Sequence, residues 1–303
     1  MTIRRRHVFR ACLLAILAGL GAQPARAARS CDLELTASLD LDPGELPGRA
    51  MIDAVIKGTP QKMIIDTGAT QTMIDEAVVR QFDLLRTDVS RHFSMQDYYG
   101  NPIRQGAVIP FLQTGNLLAR DVHALILTQP LTPPAAGVIG PDLLMHYEVE
   151  LDFAKKKMNL FAQDHCPGQV VYWTHDPVVT VPIRVDGFGH VDLDLALDGR
   201  TIPAHLDTGA PLSSMTLKNA ADDFGLTPDE PGVTKKGAGV YLHQFKSLAL
   251  GGIAISNPTI YLAGGQQGAV KRDFLLGLHE LSKLHVLISY KEKTLYATAP
   301  DAH

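Results

Sequence analysis

The triad Asp-Thr-Gly occurs twice, at Asp66-Thr67-Gly68 and at Asp207-Thr208-Gly209, and the two copies are 141 residues apart. The surroundings repeat as well. At that offset Val55-Ile56-Lys57-Gly58 meets Ala196-Leu197-Asp198-Gly199, and Ile65-Asp66-Thr67-Gly68-Ala69 meets Leu206-Asp207-Thr208-Gly209-Ala210. The match runs on from Met73 and Ser214 into Phe82-Asp83-Leu84 and Phe224-Gly225-Leu226. Further along, Gly115-Asn116-Leu117 meets Gly251-Gly252-Ile253, then Val138-Ile139-Gly140 meets Leu275-Leu276-Gly277. Val149-Glu150-Leu151-Asp152-Phe153 and Val286-Leu287-Ile288-Ser289-Tyr290 close the two copies. Self-similarity of this length means that one structural unit is built twice.

Each copy has the same grammar. A hairpin turns on a glycine (Gly58, Gly199), and an apolar strand runs into Asp-Thr-Gly. A short helix follows, near Asp75–Gln81 and Thr216–Asp223, and then more hairpins. Short runs such as Met51–Ile56, Val178–Val185 and Leu193–Leu197 alternate or are continuously apolar, with turn residues at close intervals. That rhythm predicts an all-β chain with only short helices. The boundary between copies falls around Cys166-Pro167-Gly168, which predicts one lobe over residues 28–166 and a second over 167–303.

One Asp-Thr-Gly is a common turn sequence, and a pair could simply cap two turns. Placed equivalently in a duplication, the pair has a more specific use. Gly68 and Gly209 let each backbone turn tightly and approach its counterpart. The Thr67 and Thr208 hydroxyls can bond across the junction, and Ala69 and Ala210 continue the two loops. The carboxylates of Asp66 and Asp207 would then meet on a pseudo-twofold axis. Two carboxylates that close cannot both ionise cheaply, so they share a proton. Such a pair can activate a water with one member and protonate a carbonyl oxygen with the other. No metal and no cofactor is needed.

These motifs resemble those of the pepsin and retropepsin superfamily of aspartic proteases, in a bacterial, exported, two-lobed form with retropepsin-like halves. The resemblance rests on Ile64-Ile65-Asp66-Thr67-Gly68-Ala69-Thr70 with Val138-Ile139-Gly140-Pro141-Asp142-Leu143-Leu144. In the second half it rests on His205-Leu206-Asp207-Thr208-Gly209-Ala210 with Leu275-Leu276-Gly277-Leu278. It implies two pseudo-twofold-related, closed β-barrel-like lobes, with Asp66 and Asp207 as the catalytic dyad of a peptide or protein hydrolase. It also implies that Ile139-Gly140 and Leu276-Gly277 pack behind the active-site loops. Ala69 and Ala210 stand where pepsins carry a hydroxyl residue, so activity is expected at milder acidity than pepsin's. A hairpin flap is implied in each half, with Tyr98, Tyr99 and Gly100 at one tip and Gly237, Ala238 and Gly239 at the other. His205, two residues before Asp207, lines a substrate pocket, perturbs the dyad or faces solvent, the last being the expectation. The competing reading keeps the same fold as a non-catalytic peptide- or protein-binding or inhibitory module.

The N-terminus reads as a signal peptide over residues 1–27. Arg4, Arg5, Arg6 and Arg10 precede an apolar run of about 12 residues, and Ala25-Arg26-Ala27 supplies a cleavage site. The run is too short to span a bilayer, so no stable membrane anchor is expected after cleavage. Arg5-Arg6-His7-Val8-Phe9 fits a twin-arginine signal as well as a general secretory one. The product is expected in the periplasm or secreted, as a monomer. Cleavage would remove five arginines and no acid from a chain of net charge −4. The resulting acidity, without basic clusters, leaves no footprint for nucleic acid. Cys31 and Cys166 remain as an even pair in an oxidising compartment, either as a disulfide or as two buried thiols. Other chemistries fail on spacing. His279-Glu280-Leu281-Ser282-Lys283 has lysine where a zinc-protease helix needs its second histidine, and no Gly-x-Ser-x-Gly elbow or phosphate-binding loop exists.

Overall fold

The computed structural model of the chain describes residues 31–42, 48–90, 95–97, 100–131, 135–263 and 274–300. The expected signal peptide therefore lies outside the described residues. The first half holds β1 (Leu35–Asp40), β2 (Met51–Ile56), β3 (Thr59–Ile65), β4 (Met73–Ile74), α1 (Glu76–Gln81) and β5 (Leu85–Asp88). It continues with β6 (Gln105–Thr114), β7 (Leu117–Ile126), β8 (Gly137–Ile139), α2 (Pro141–Leu144), β9 (Glu148–Asp152) and β10 (Lys157–Phe161). The second half opens with β11 (Val179–Pro182), β12 (Arg184–Val185), β13 (Val191–Leu197), β14 (Arg200–Leu206), β15 (Ser214–Thr216) and α3 (Leu217–Phe224). Then come β16 (Val233–Gly237), β17 (Val240–Gln244), β18 (Ser247–Leu250), β19 (Ile253–Ser256) and β20 (Thr259–Ala263). The chain ends on β21 (Phe274–Leu276), α4 (Leu278–Leu281), β22 (His285–Ser289) and β23 (Thr294–Thr298).

Local chemistry explains why the halves match. The β2–β3 hairpin turns on Lys57-Gly58 and the β13–β14 hairpin on Asp198-Gly199, and all four residues have positive φ, between 47° and 81°. Two-residue turns of that hand match the twist of the flanking strands. Asp75 caps α1 by accepting from the Ala77 amide at 2.7 Å, and Thr216 caps α3 by accepting from Asn219 at 3.0 Å. Gly225, at φ 68°, ends α3.

In the first half β2, β3, β8, β4, β7 and β6 follow one another, and β6 pairs back onto β2. The ring is closed, with β5 attached to β6. In the second half the counterpart of β6 breaks at Phe245-Lys246 into β17 and β18. The circuit β13-β14-β21-β15-β20-β17 then returns along the chain through β18, which pairs onto β13. Alternate residues of these strands (Ile52, Ala54 and Ile56; Leu193, Leu195 and Leu197) point into one continuous apolar core.

A third layer joins the halves. Its strand order is β1-β10-β9-β22-β23-β11, three strands from each copy, with β9 and β22 antiparallel at the centre. The two halves therefore share a sheet instead of meeting through a linker alone. Cys31 and Cys166 are bonded, tying the chain before β1 to the segment after β10.

One face of this shared sheet buries polar groups beside a small apolar cluster of Phe161, Leu287 and Tyr296. Val149 and Leu151 of β9 point to the main core, which leaves Glu148, Glu150 and Asp152 on the opposite face under the segment that follows β10. Glu148 meets His165 Nε2 at 2.9 Å. Glu150 meets His285 Nε2 at 2.6 Å, accepts from the Tyr172 hydroxyl at 2.8 Å and from Asn159 Nδ2 at 2.7 Å. Trp173 stacks on His285 with ring centres 4.2 Å apart. Removing the Glu150 carboxylate would take the partner from the buried His285 ring and the nearer of two acceptors from Asn159 Nδ2, which also meets the Tyr172 hydroxyl at 3.3 Å. Glu150→Ala is expected to cost about 1–3 kcal/mol, the penalty of a buried donor left without its acceptor, read as a lower urea midpoint. A loss under about 1 kcal/mol would mean that water reaches this face.

Candidate active site

Strands β3 and β14 deliver the two triads. Each ends beside a short parallel strand: Ile65 is level with Ile139, and Leu206 with Leu276. The Asp66 amide donates to the Ile139 carbonyl and the Asp207 amide to the Leu276 carbonyl, both at 3.0 Å. The apolar-apolar-Gly segments thus stand directly behind the two loops. The adjoining Gly140 and Gly277 amides donate to the Thr72 and Ser213 hydroxyls at 3.1 and 2.9 Å. Those hydroxyls are braced in turn, Thr72 by Asp142 at 2.8 Å and Ser213 by the buried Glu280. Burial raises the pKa of Asp142 above the ordinary carboxylate value.

Thr67 and Thr208 lock the loops together. The Thr67 amide donates to the Thr208 hydroxyl and the Thr208 amide to the Thr67 hydroxyl, each at 3.1 Å. The Thr67 hydroxyl donates to the Leu206 carbonyl at 2.9 Å and the Thr208 hydroxyl to the Ile65 carbonyl at 2.7 Å. Both side chains are fully buried. All four bonds run between the two halves.

The glycines then bring the carboxyls together. A Cβ on Gly68 would lie 2.4 Å from the Asp207 carboxyl carbon, and one on Gly209 would lie 2.2 Å from that of Asp66. Each carboxyl therefore rests against the other loop, where only hydrogen is small enough. Asp66 Oδ1 accepts from the Gly68 amide at 3.0 Å, while Asp207 Oδ1 accepts from Gly209 and Ala210 at 2.9 and 3.0 Å. Burial and the neighbouring Asp207 charge raise the pKa of Asp66 to about 7, against the opposing pull of the Gly68 and Ala69 amides and of Arg49. An acid–base pair holding one proton is what this arrangement can supply.

The other expected site residues fall as follows. Gly237, Ala238 and Gly239 form the tip of the exposed β16–β17 hairpin, with Gly239 at φ 70°. Gly100 lies in the matching β5–β6 connection, in a turn where Asn101 donates to Asp97 at 2.7 Å. Tyr98 and Tyr99 lie outside the described residues. His205 differs from the expectation of a solvent-facing ring: it is 2% exposed. Its Nδ1 meets Asp192 at 2.9 Å and its ring packs edge-on against His190, so neighbouring β13 and the turn before it cover the position. Sequence reasoning missed Thr72 with Asp142, Ser213 with Glu280, and Arg49. Two of them carried a signal, since Thr72 and Ser213 obey the same offset as the triads. A recess of about 470 Å³ opens beside the first loop, with Thr70 and Gln71 on one wall and Phe188 of the second half on another.

Residues 52–146, which contain the first triad, match the family described as gag-polyprotein putative aspartyl protease. Among solved structures, the aspartic proteinase from Irpex lacteus superposes with a TM-score of 0.52 at 12% identity, over 87% of this chain and 97% of that one. The fold is that of the pepsin/retropepsin-like aspartic protease superfamily. Basic 7S globulin from soybean shares this aspartic-protease fold at a TM-score of 0.53 and 10% identity, over 89% of this chain and 96% of that one. Comparison with curated protein sequences found no match. At such identities the likeness to solved structures speaks for the fold alone.

Proposed function

We propose that the chain is an aspartic endopeptidase that hydrolyses peptide bonds of exported proteins or peptides with Asp66 and Asp207 as its dyad. The observation that carries this is the mutual seating of the carboxyls, each against the other loop's glycine, beneath a four-bond lock. The ionised member takes a proton from a water as its oxygen bonds to the substrate carbonyl carbon. The protonated member gives its proton to the carbonyl oxygen, which leaves a tetrahedral diol. Collapse breaks the C–N bond: a diol hydroxyl gives its proton to the ionised aspartate as the departing nitrogen takes one from the protonated aspartate, which restores the singly protonated pair. Both aspartates lie on one chain, which supports a functional monomer. The basic, apolar and small-residue pattern of residues 1–27 supports export to the periplasm or beyond.

The test is turnover. The protein beginning at Ala28 is incubated with a diverse peptide library, and new termini are read by mass spectrometry. Cleavage blocked by a statine-type inhibitor is expected; peptide binding without cleavage would instead establish a non-catalytic module.

The pH dependence follows from the shared proton. Raising the pH through the upper value of the pair removes the general acid, and lowering it through the other value removes the base. With the pKa of Asp66 raised, kcat/KM is expected to peak in mild acid and to fall as pH rises past about 7. A maximum as acidic as pepsin's would contradict this.

A further inference from the structure

Arg49 belongs to no motif, yet the strand register carries it to the dyad. Met51 is level with Ile64, and the Ile65 amide donates to the Ala50 carbonyl at 2.8 Å. One step further, Arg49 stands opposite Asp66. Its Nη1 donates to the Gly209 carbonyl, in the loop of the other half that carries Asp207. The duplication makes this arrangement one-sided. At the same offset the second half has His190, which the pairing of Val191 with Leu206 places opposite Asp207. His190 is held by a contact of another kind: its Nδ1 meets Asp186 of its own turn at 2.8 Å.

We propose that Arg49 is a positioning residue for the dyad: from the first half it braces the Asp-Thr-Gly loop of the second, and it sets a fixed positive charge on one side of the two carboxyls. The proposal rests on Asp66 and Asp207 acting as one acid–base pair. A guanidinium stays charged at every working pH and donates from a rigid fork, so it favours the singly ionised pair over the fully protonated one. The charge of Arg49 does oppose the effects of burial and Asp207 on Asp66. The groups acting on the pair are therefore Arg49 from the segment before β2 and the Gly68, Ala69, Gly209 and Ala210 amides. Opposite Asp207 stands His190, held by Asp186 and touching His205, which is bonded to Asp192.

The proposal is tested by carboxyl-carbon NMR titration of the protein, with the dyad signals assigned from Asp66→Asn and Asp207→Asn. Arg49→Gln is expected to move the midpoints of the pair upward by about one unit, a tenfold gain in proton affinity. Arg49→Lys, which keeps the charge, is expected to move them by a third of that or less. In the unsubstituted protein the Arg49 guanidinium signals should shift with the dyad, a readout that survives if the glutamine variant fails to fold. Guanidinium signals indifferent to the dyad titration, or a folded Arg49→Gln with unmoved midpoints, would overturn the proposal. The titration needs no turnover, so a protein that cleaves nothing removes the endopeptidase reading while Arg49 is still decided. Where cleavage is seen, the acidic limb of the kcat/KM profile should move with the midpoint, which a merely structural contact would not produce.

Discussion

Asp66→Asn and Asp207→Asn are each expected to lower kcat by at least about a thousandfold, and the double substitution is expected to lower it no further. General acid–base contributions lie at about 10²–10⁴-fold, and groups that work as a unit lose nearly everything with the first removal. An asparagine in either place can neither take the proton from water nor return one to the carbonyl. The seating of each carboxyl against the opposite glycine means that neither aspartate has a separate site to act from. Kinetics on a peptide cut by the unsubstituted protein provide the check; independent, multiplying losses would mean two sites instead of one. The same change should act on stability in the opposite direction. Asp66 is held above its ordinary pKa, so its contribution favours folding in the protonated form and is lost as pH rises through that value. Asparagine has no charge to gain. Asp66→Asn is therefore expected to melt higher than the unsubstituted protein above neutral pH, with the gap closing in acid.

What the sequence made legible was what local chemistry repeats. Lys57-Gly58 and Asp198-Gly199 specify the same turn, Asp75 and Thr216 the same helix cap, and each triad the same strand exit. An internal alignment finds all of these because they lie within a few residues of one another. The shared sheet was not legible in that way. Its central pair, β9 and β22, joins segments from the ends of the two copies, and nothing local distinguishes an outer edge from a seam. The boundary is expected at Cys166-Pro167-Gly168, and β11, beyond it in sequence, is laid against β23 at the far end of the chain. Glu148, Glu150 and Asp152 alternate with Val149 and Leu151 along β9, which puts them together on one face of the strand. Only the fold shows that face covered, with His165 and His285 supplied from elsewhere. His205 fails as a surface residue for the same reason, since Asp192 and His190 arrive from the neighbouring strand and its turn. Arg49 is the instructive omission at the site. It becomes visible once the register of the first hairpin is continued backward by two residues.

Thr208→Val and Thr67→Val are expected to be the most damaging changes of similar size near the dyad. Each hydroxyl donates to one carbonyl and accepts from one amide of the opposite loop. Valine keeps the shape and leaves both backbone groups unpaired where no water reaches. At about 1–3 kcal/mol for each orphaned buried group, either variant should lose roughly 2–6 kcal/mol. Thr→Ser at the same positions keeps the hydroxyl and should cost only the lost methyl contacts, about 1 kcal/mol. The catalytic loss should exceed what the fraction folded explains. These bonds fix how far apart the two aspartate loops stand, and a displacement of about 1 Å at a reacting centre can cost on the order of a hundredfold. Denaturant midpoints and kcat measured on the folded fraction separate the two effects. Valine variants as stable and active as serine variants would show that the hydroxyls do not hold the loops. Because every bond of the lock crosses between the halves, the same substitutions also test how the halves depend on each other. If the lock is what couples them, a Thr67→Val, Thr208→Val double variant should lose the single cooperative transition before it loses the strands of either ring.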